Sequence, residues 1–300
     1  MLLSIKMMNR AIYYLIYSFL WIVALLPYRL LYVLSDILYL IIYHILGYRK
    51  KVVRQNLKNS FPSYDNNILK KIEKRFYKNL SDIVVETIKL IHVQPTDVRK
   101  RFHFTNPEVI NELVGQNKSV FLAFGHSSNW EMMVHALSFE FDLPVIALYK
   151  KISSHVFDSL MKHIRMQWGK VGLFESQTAY RQLVGIKDKP HLIYILGDQT
   201  PPGLDADYWT DFLHQDTPFF NGLEKMAKSL GHAVVYFEST RTGRGKYSLT
   251  AISICKNGKE TAQDEIIEKY VRLLENTIRQ QPDNWLWSHR RWKHQRKQPA

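Results

Sequence analysis

From residue 119 onward the chain alternates between two periods. SVFLAF (119–124), PVIALY (144–149), HLIYIL (191–196), AVVYFES (233–239) and YSLTAISI (247–254) are short apolar or alternating runs enriched in β-formers. Between them, 130–141, 155–168, 178–187 and 219–230 carry helical patterns. This alternation predicts an α/β fold, a mixed and largely parallel sheet flanked by helices. One or two amphipathic helices are expected over Asn66 to His92 and a last helix from about Asp264 to Gln280, and neither a repeat nor a linker divides the chain. With 300 residues, 46% of them hydrophobic and 13% aromatic, there is ample material for a core, which argues against disorder.

The N-terminus follows another pattern. Ala11 to Leu26 carries no charge, and after Pro27 and Arg29 a second apolar stretch runs from Leu30 to Gly47, interrupted only by Asp36 and His44. Such lengths sit at the short limit for crossing a ~30 Å hydrocarbon core, so one span, a shallow hairpin and helices lying in the interface all fit. Two buried core helices are the competing reading. A cleaved signal peptide is not expected, because PYRL follows Leu26 in place of a small-residue cleavage site. Residues 1–47 are therefore expected to anchor the chain in a membrane and 48–300 to form the soluble domain. Arg49, Lys50, Lys51, Arg54 and Lys58 follow the apolar stretch, against Lys6 and Arg10 before it, and this bias keeps the bulk of the chain cytoplasmic.

Charge restricts the partners. Lys and Arg number 41 against 27 Asp and Glu, a formal charge of +14, which attracts nucleic acid, an anionic membrane surface or acidic substrates. A single cysteine, Cys255, excludes an internal disulfide framework and a cysteine-based zinc site.

GHSSNWE (125–131) stands where a strand ends and a helix begins, the crevice where open α/β sheets bind ligands and where first-turn N–H groups point outward. The nucleophile elbow G-x-S-x-G is missed because Asn129 replaces its last glycine, and zinc is disfavoured because His126, Glu131 and His135 lack H-E-x-x-H spacing. A third chemistry fits: His126 as general base, with Glu131 orienting its imidazole, activating a substrate hydroxyl. Ser128 to Glu131 equally matches S-x-x-E, a capping box that explains Glu131 without catalysis.

His126 and Glu131 also form H-x4-E, which resembles the signature of glycerolipid acyltransferases, and GHSSNWE looks like its form in the late acyltransferases of lipid A biosynthesis. The similarity continues in YRKKVVRQNLKNSFP (48–62), GDQTPPG (197–203), TPFFNG (217–222) and PDNWLWSHRRWK (282–293), and it covers most of the chain. It implies a membrane-bound enzyme that moves an acyl chain from acyl carrier protein to a hydroxyl of an anionic glycolipid, a lipid A precursor. The location implied is the cytoplasmic face of a Gram-negative inner membrane. His126 and Glu131 would be catalytic; Asn129, Lys150, Arg165, Asp198 and Gln199 would hold substrate. No metal or cofactor is implied, since a thioester is already electrophilic. Many members carry Arg where Lys150 and Lys151 stand, and Asn221-Gly222 replaces a simple Gly, so the acceptor could differ; related chains acylate other hydroxyl- or amine-bearing lipids. Trp285, Trp287 and Trp292 among His289, Arg290, Arg291 and Lys293 fit an interfacial aromatic–basic belt. Stacking on nucleic-acid bases is the rival reading of that tail, but no nucleic-acid motif accompanies it and no nucleic-acid partner is expected.

Overall fold

A computed structural model describes residues 2–294 and 296, apart from 142, 188 and 202–207, with side chains from residue 8 onward. Two apolar helices open the chain, α1 (Leu2–Leu25) and α2 (Tyr28–Tyr39), the latter running into a π-helical turn, Leu40–Ile45. Helices α3 (Lys50–Ser60), α4 (Asn66–Lys89) and α5 (Pro95–Arg99) lead to strand β1 (Phe102–Phe104). Then come α6 (Glu108–Gly115), β2 (Val120–Phe124), α7 (Trp130–Glu140), β3 (Val145–Tyr149), α8 (His155–Met166), β4 (Val171–Glu175), α9 (Ala179–Gly185) and β5 (Leu192–Leu196). The hairpin β6 (Tyr208–Phe212) and β7 (Gln215–Phe219) follows, then α10 (Gly222–Leu230), β8 (Ala233–Gly243), β9 (Lys246–Cys255) and α11 (Glu265–Gln280).

Seven strands form one sheet in the order β1-β9-β8-β2-β5-β3-β4. Every pairing is parallel except β8 with β9, which a tight turn joins as a hairpin. The expected mixed, largely parallel sheet is thus the one found, and all five expected strands belong to it. Strands β1, β4, β6 and β7 were not foreseen. They are short, and β6 and β7 carry polar residues (YWTDF, QDTPF) that mask any apolar pattern.

Central strands are buried on both faces. Along β2, Val120, Leu122 and Phe124 join a core with α7, while Phe121 and Ala123 join a second core with α11. Side chains that alternate between two covered faces explain why SVFLAF is apolar at nearly every position. The N-terminal helices are not core helices: within Met8–Leu25 and Tyr28–Ile45, apolar and long enough to cross a membrane, only 6% and 22% of residues are buried. One face of each nevertheless packs on the domain, through Tyr13, Tyr17, Leu20 and Ala24 of α1 and Leu31, Ser35 and Tyr39 of α2.

Candidate active site

Sheet register builds the site. Strands β2 and β5 run side by side and parallel, with Phe124 opposite Leu196. His126 and Asp198 each stand two residues beyond that pair, so they leave the sheet at the same height. The His126 ring Nδ1 lies 2.6 Å from Asp198 Oδ1, and the His126 backbone N–H donates to Asp198 Oδ2 at 2.8 Å. The indole N–H of Trp285 reaches the same Oδ2 at 2.7 Å. Gly125 makes the approach possible, since a Cβ there would lie 2.4 Å from Leu274 Cδ1 on α11.

Burial alone would raise the Asp198 carboxyl. The neighbouring His126 imidazole, the hydrogen bonds from His126 and the Trp285 indole outweigh that and hold it down at about 2. An ionised carboxylate can only accept, so Nδ1 carries a proton, and in the neutral imidazole the lone pair lies on Nε2. Gln199 Nε2, a donor, lies 3.2 Å from that lone-pair nitrogen. The ring is 13% exposed and sits edge-on against Trp130, 5.3 Å between centroids.

Glu131 stands elsewhere than expected. Its carboxylate accepts a two-pronged ion pair from Arg165, Nε at 2.7 Å and Nη2 at 2.6 Å, because the first turn of α7 faces the last turn of α8. The carboxylate bonded to the His126 ring is Asp198, not Glu131. Burial would lower the Arg165 guanidinium, but its bonds to Glu131 raise it on balance, and the pair stays charged. The capping box is also absent. Ser128 takes a left-handed backbone, φ 57°, and is claimed by the C-terminal segment: its N–H donates to Asn284 Oδ1 at 3.1 Å and its Oγ accepts from Asn284 Nδ2 at 3.0 Å. The helix therefore starts one residue later, with Asn129 as cap accepting from the Met132 N–H at 2.9 Å.

That cap is engaged at its other end too. Asn129 is wholly buried and its amide donates to Glu86 at 2.8 Å, so both polar ends of the side chain bond within the protein. Glu86 is buried too, accepting from Tyr32 at 2.9 Å and Tyr247 at 2.6 Å as well; burial pushes its carboxyl up against these three donors. Lys150 is exposed at the C-terminal end of β3 and forms no hydrogen bond to the His126 group. Of the seven expected site residues, His126, Asp198 and Gln199 form one hydrogen-bonded cluster and Glu131 with Arg165 a neighbouring one. Pro202 and Gly203 of GDQTPPG lie outside the described residues.

The C-terminal segment is no surface belt. Trp285 and Trp287 are buried, and Arg291 is wholly enclosed with its guanidinium 4.3 Å from the Phe219 ring centre. His289 accepts from the Thr200 backbone N–H at 3.2 Å, and burial lowers its imidazole to about 4. Trp285 thus joins the site and His289 braces the loop after Asp198, roles that local reading missed because the WLWSHRRW pattern mixes aromatic and basic residues as an interfacial segment would.

With this geometry in place, comparison with known proteins is decisive. The family model of bacterial lipid A biosynthesis acyltransferases matches residues 2–294. The chain belongs to that family. Among curated relatives, the lipid A biosynthesis palmitoleoyltransferase of Escherichia coli (strain K12) is 22% identical over 276 residues, 91% of this chain and 88% of the relative. A lipid A biosynthesis acyltransferase of Shigella flexneri matches with the same identity and coverage. The protein is an acyltransferase, and the strand-end turn that holds His126 is the acyltransferase's candidate active site.

Proposed function

We propose that this acyltransferase moves a fatty acyl chain from acyl carrier protein to a hydroxyl of a lipid A precursor, with His126 as general base and Asp198 as the residue that orients it. The observation that carries the reading is the His126 ring, tied at Nδ1 to an ionised, buried carboxylate while Nε2 faces Gln199. In the reaction the acceptor hydroxyl takes the place of the Gln199 amide at Nε2. Its oxygen attacks the thioester carbonyl as its proton passes to Nε2. The C–S bond then breaks, and the departing thiolate takes that proton. Asp198 holds the tautomer with Nε2 unprotonated and stabilises the imidazolium that forms. In this reading the Gln199 amide, released from Nε2, donates to the oxyanion.

Glu131 and Arg165 form a fixed ion pair beside the base. Their role in this reading is to hold the first turn of α7 against the last turn of α8, while the exposed Lys150 is offered to an anionic acceptor. The net charge of +14 suits both partners, since acyl carrier protein is acidic and lipid A precursors carry phosphates. Residues 1–47 serve as the membrane anchor, holding the catalytic domain at the cytoplasmic face of a Gram-negative inner membrane, where the exposed apolar faces of α1 and α2 meet lipid.

The test is direct transfer. Detergent-extracted enzyme is incubated with radiolabelled acyl-acyl carrier protein and lipid A precursors, and acylated lipid is followed with time. Transfer is expected, with His126→Ala lowering kcat on the order of a hundredfold or more at unchanged stability, the typical share of a general base. Equal rates for His126→Ala and the unaltered enzyme would refute the mechanism.

A further inference from the structure

The outward faces of the N-terminal helices are regular. Leu15, Phe19 and Ile22 of α1 are 74%, 64% and 62% exposed, and Val33, Ile37 and Leu40 beyond the corner are 53%, 48% and 52% exposed. Both sets step by four and then three, so each helix presents one continuous apolar stripe to its surroundings. By length alone either helix could cross a bilayer, since 18 residues at 1.5 Å rise reach about 27 Å. Their inner faces argue against it.

Helix α1 lies along α8, a helix carrying Asp158, Lys162, His163 and Arg165, and Tyr17 meets His163 at 3.2 Å. The corner between α1 and α2 is tied to the catalytic domain: Lys89 of α4 donates to the carbonyls of Ala24 at 2.7 Å and Leu26 at 3.0 Å. The Arg101 guanidinium lies 3.3 Å from the Tyr28 ring centre. Further along α2, Ser35 donates to Asp82 at 2.6 Å and Arg244 pairs with Asp36 at 2.7 Å. A spanning α1 would carry α8 and its charges into hydrocarbon, and a spanning hairpin would place the corner a bilayer thickness from Lys89 and Arg101. Each alternative requires these polar contacts to break or to enter lipid, where charged groups are strongly disfavoured.

We infer that α1 and α2 do not cross the membrane but lie as a two-helix plate in a single leaflet, so that the N-terminus, the Pro27–Arg29 corner and the catalytic domain all face the same side. The inference rests on the membrane attachment proposed above and specifies its form. It also sets the depth of the site. Tyr32 of α2 and Asn129, the cap of the catalytic helix, share the Glu86 carboxylate, so two hydrogen bonds separate the plate from the turn bearing His126. A plate sunk ~5–10 Å into the headgroup boundary keeps that turn at the surface of the leaflet, where a lipid hydroxyl can be reached without extracting the acceptor.

The test uses the full-length chain in a Gram-negative host, made cysteine-free by Cys255→Ser. Single cysteines are then placed ahead of Met1, at the corner (Arg29→Cys) and on the far surface (Lys256→Cys). A membrane-impermeant maleimide is applied to spheroplasts and to inverted vesicles. All three positions are expected to label in inverted vesicles and none in spheroplasts. Labelling of the first cysteine from spheroplasts would mean one span, and labelling at Arg29→Cys a hairpin; either overturns the inference, as does a position protected from both sides but reactive in detergent. Fractionation of low-salt lysates separates the two ideas. Protein that sediments with the membranes but labels wrongly refutes only the single-leaflet form, whereas protein that stays in the supernatant refutes membrane attachment itself.

Discussion

Replacing Asp198 by asparagine separates the two carboxylates that could serve His126. The carboxylate accepts from the His126 backbone N–H and the Trp285 indole at Oδ2, and faces the His126 ring nitrogen at Oδ1. An asparagine of the same shape keeps its carbonyl oxygen where two donors converge, which puts its NH2 group against Nδ1. The ring must then accept at Nδ1 and carry its proton on Nε2, where a base needs a lone pair. The wrong tautomer and the lost imidazolium partner together are expected to lower kcat by roughly 10³–10⁴-fold, or about 4–5.5 kcal/mol of barrier. Glu131→Gln is the paired control. It weakens the bond to Arg165 but leaves the His126–Asp198 contact intact, so a drop of no more than about tenfold is expected, a barrier change of about 1.4 kcal/mol. The assay is single-turnover acyl transfer at saturating acceptor, with circular dichroism melting to show that both variants fold. If Asp198→Asn keeps kcat within tenfold while Glu131→Gln loses a thousandfold, Glu131 is the functional partner and the reasoning from register fails.

Three further outcomes follow from the same structure. Trp285→Phe leaves a smaller aromatic ring and removes one donor from a buried carboxylate, which should cost at least roughly 1.5–3 kcal/mol in urea unfolding and lower kcat; unchanged values of both would show that the indole bond contributes nothing. Gly125→Ala drives a Cβ to 2.4 Å from Leu274 Cδ1 and should destabilise by about 1–3 kcal/mol. Combined with Leu274→Ala the cost should be clearly less than the sum of the two single changes, and strict additivity would refute the clash. His135 and His289 are both held near 4 by burial, below an ordinary 6.5, so the unfolded chain binds protons that the folded one refuses. Stability should therefore fall as pH drops from 6.5 to 4 and be restored above 6.5. His135 supplies about 3 kcal/mol of this and the less buried His289 only a fraction. Urea midpoints that stay flat from pH 7 to pH 4.5 would contradict it.

Much of the molecule was legible in the order of its residues. A period of two against a period of 3.6 is a local property, so β2, β3, β5, β8 and β9 and the helices between them could be read from spacing, as could the glycine turn that brings His126 out at a strand end. The motif order from GHSSNWE to PDNWLWSHRRWK pointed to the family. Partners across the fold were not legible. Nothing local says that β5 lies beside β2, yet that adjacency, with Phe124 opposite Leu196, puts Asp198 against His126 and leaves Glu131 to Arg165. Nothing local says that Asn284 occupies Ser128 and moves the helix start to Asn129, or that Trp285 is buried on Asp198. These partners are 34 to 156 positions apart. Spacing along a chain reports which face of an element a side chain occupies, whereas hydrogen-bond partners depend on which elements become neighbours, and only the packing of the whole sheet decides that.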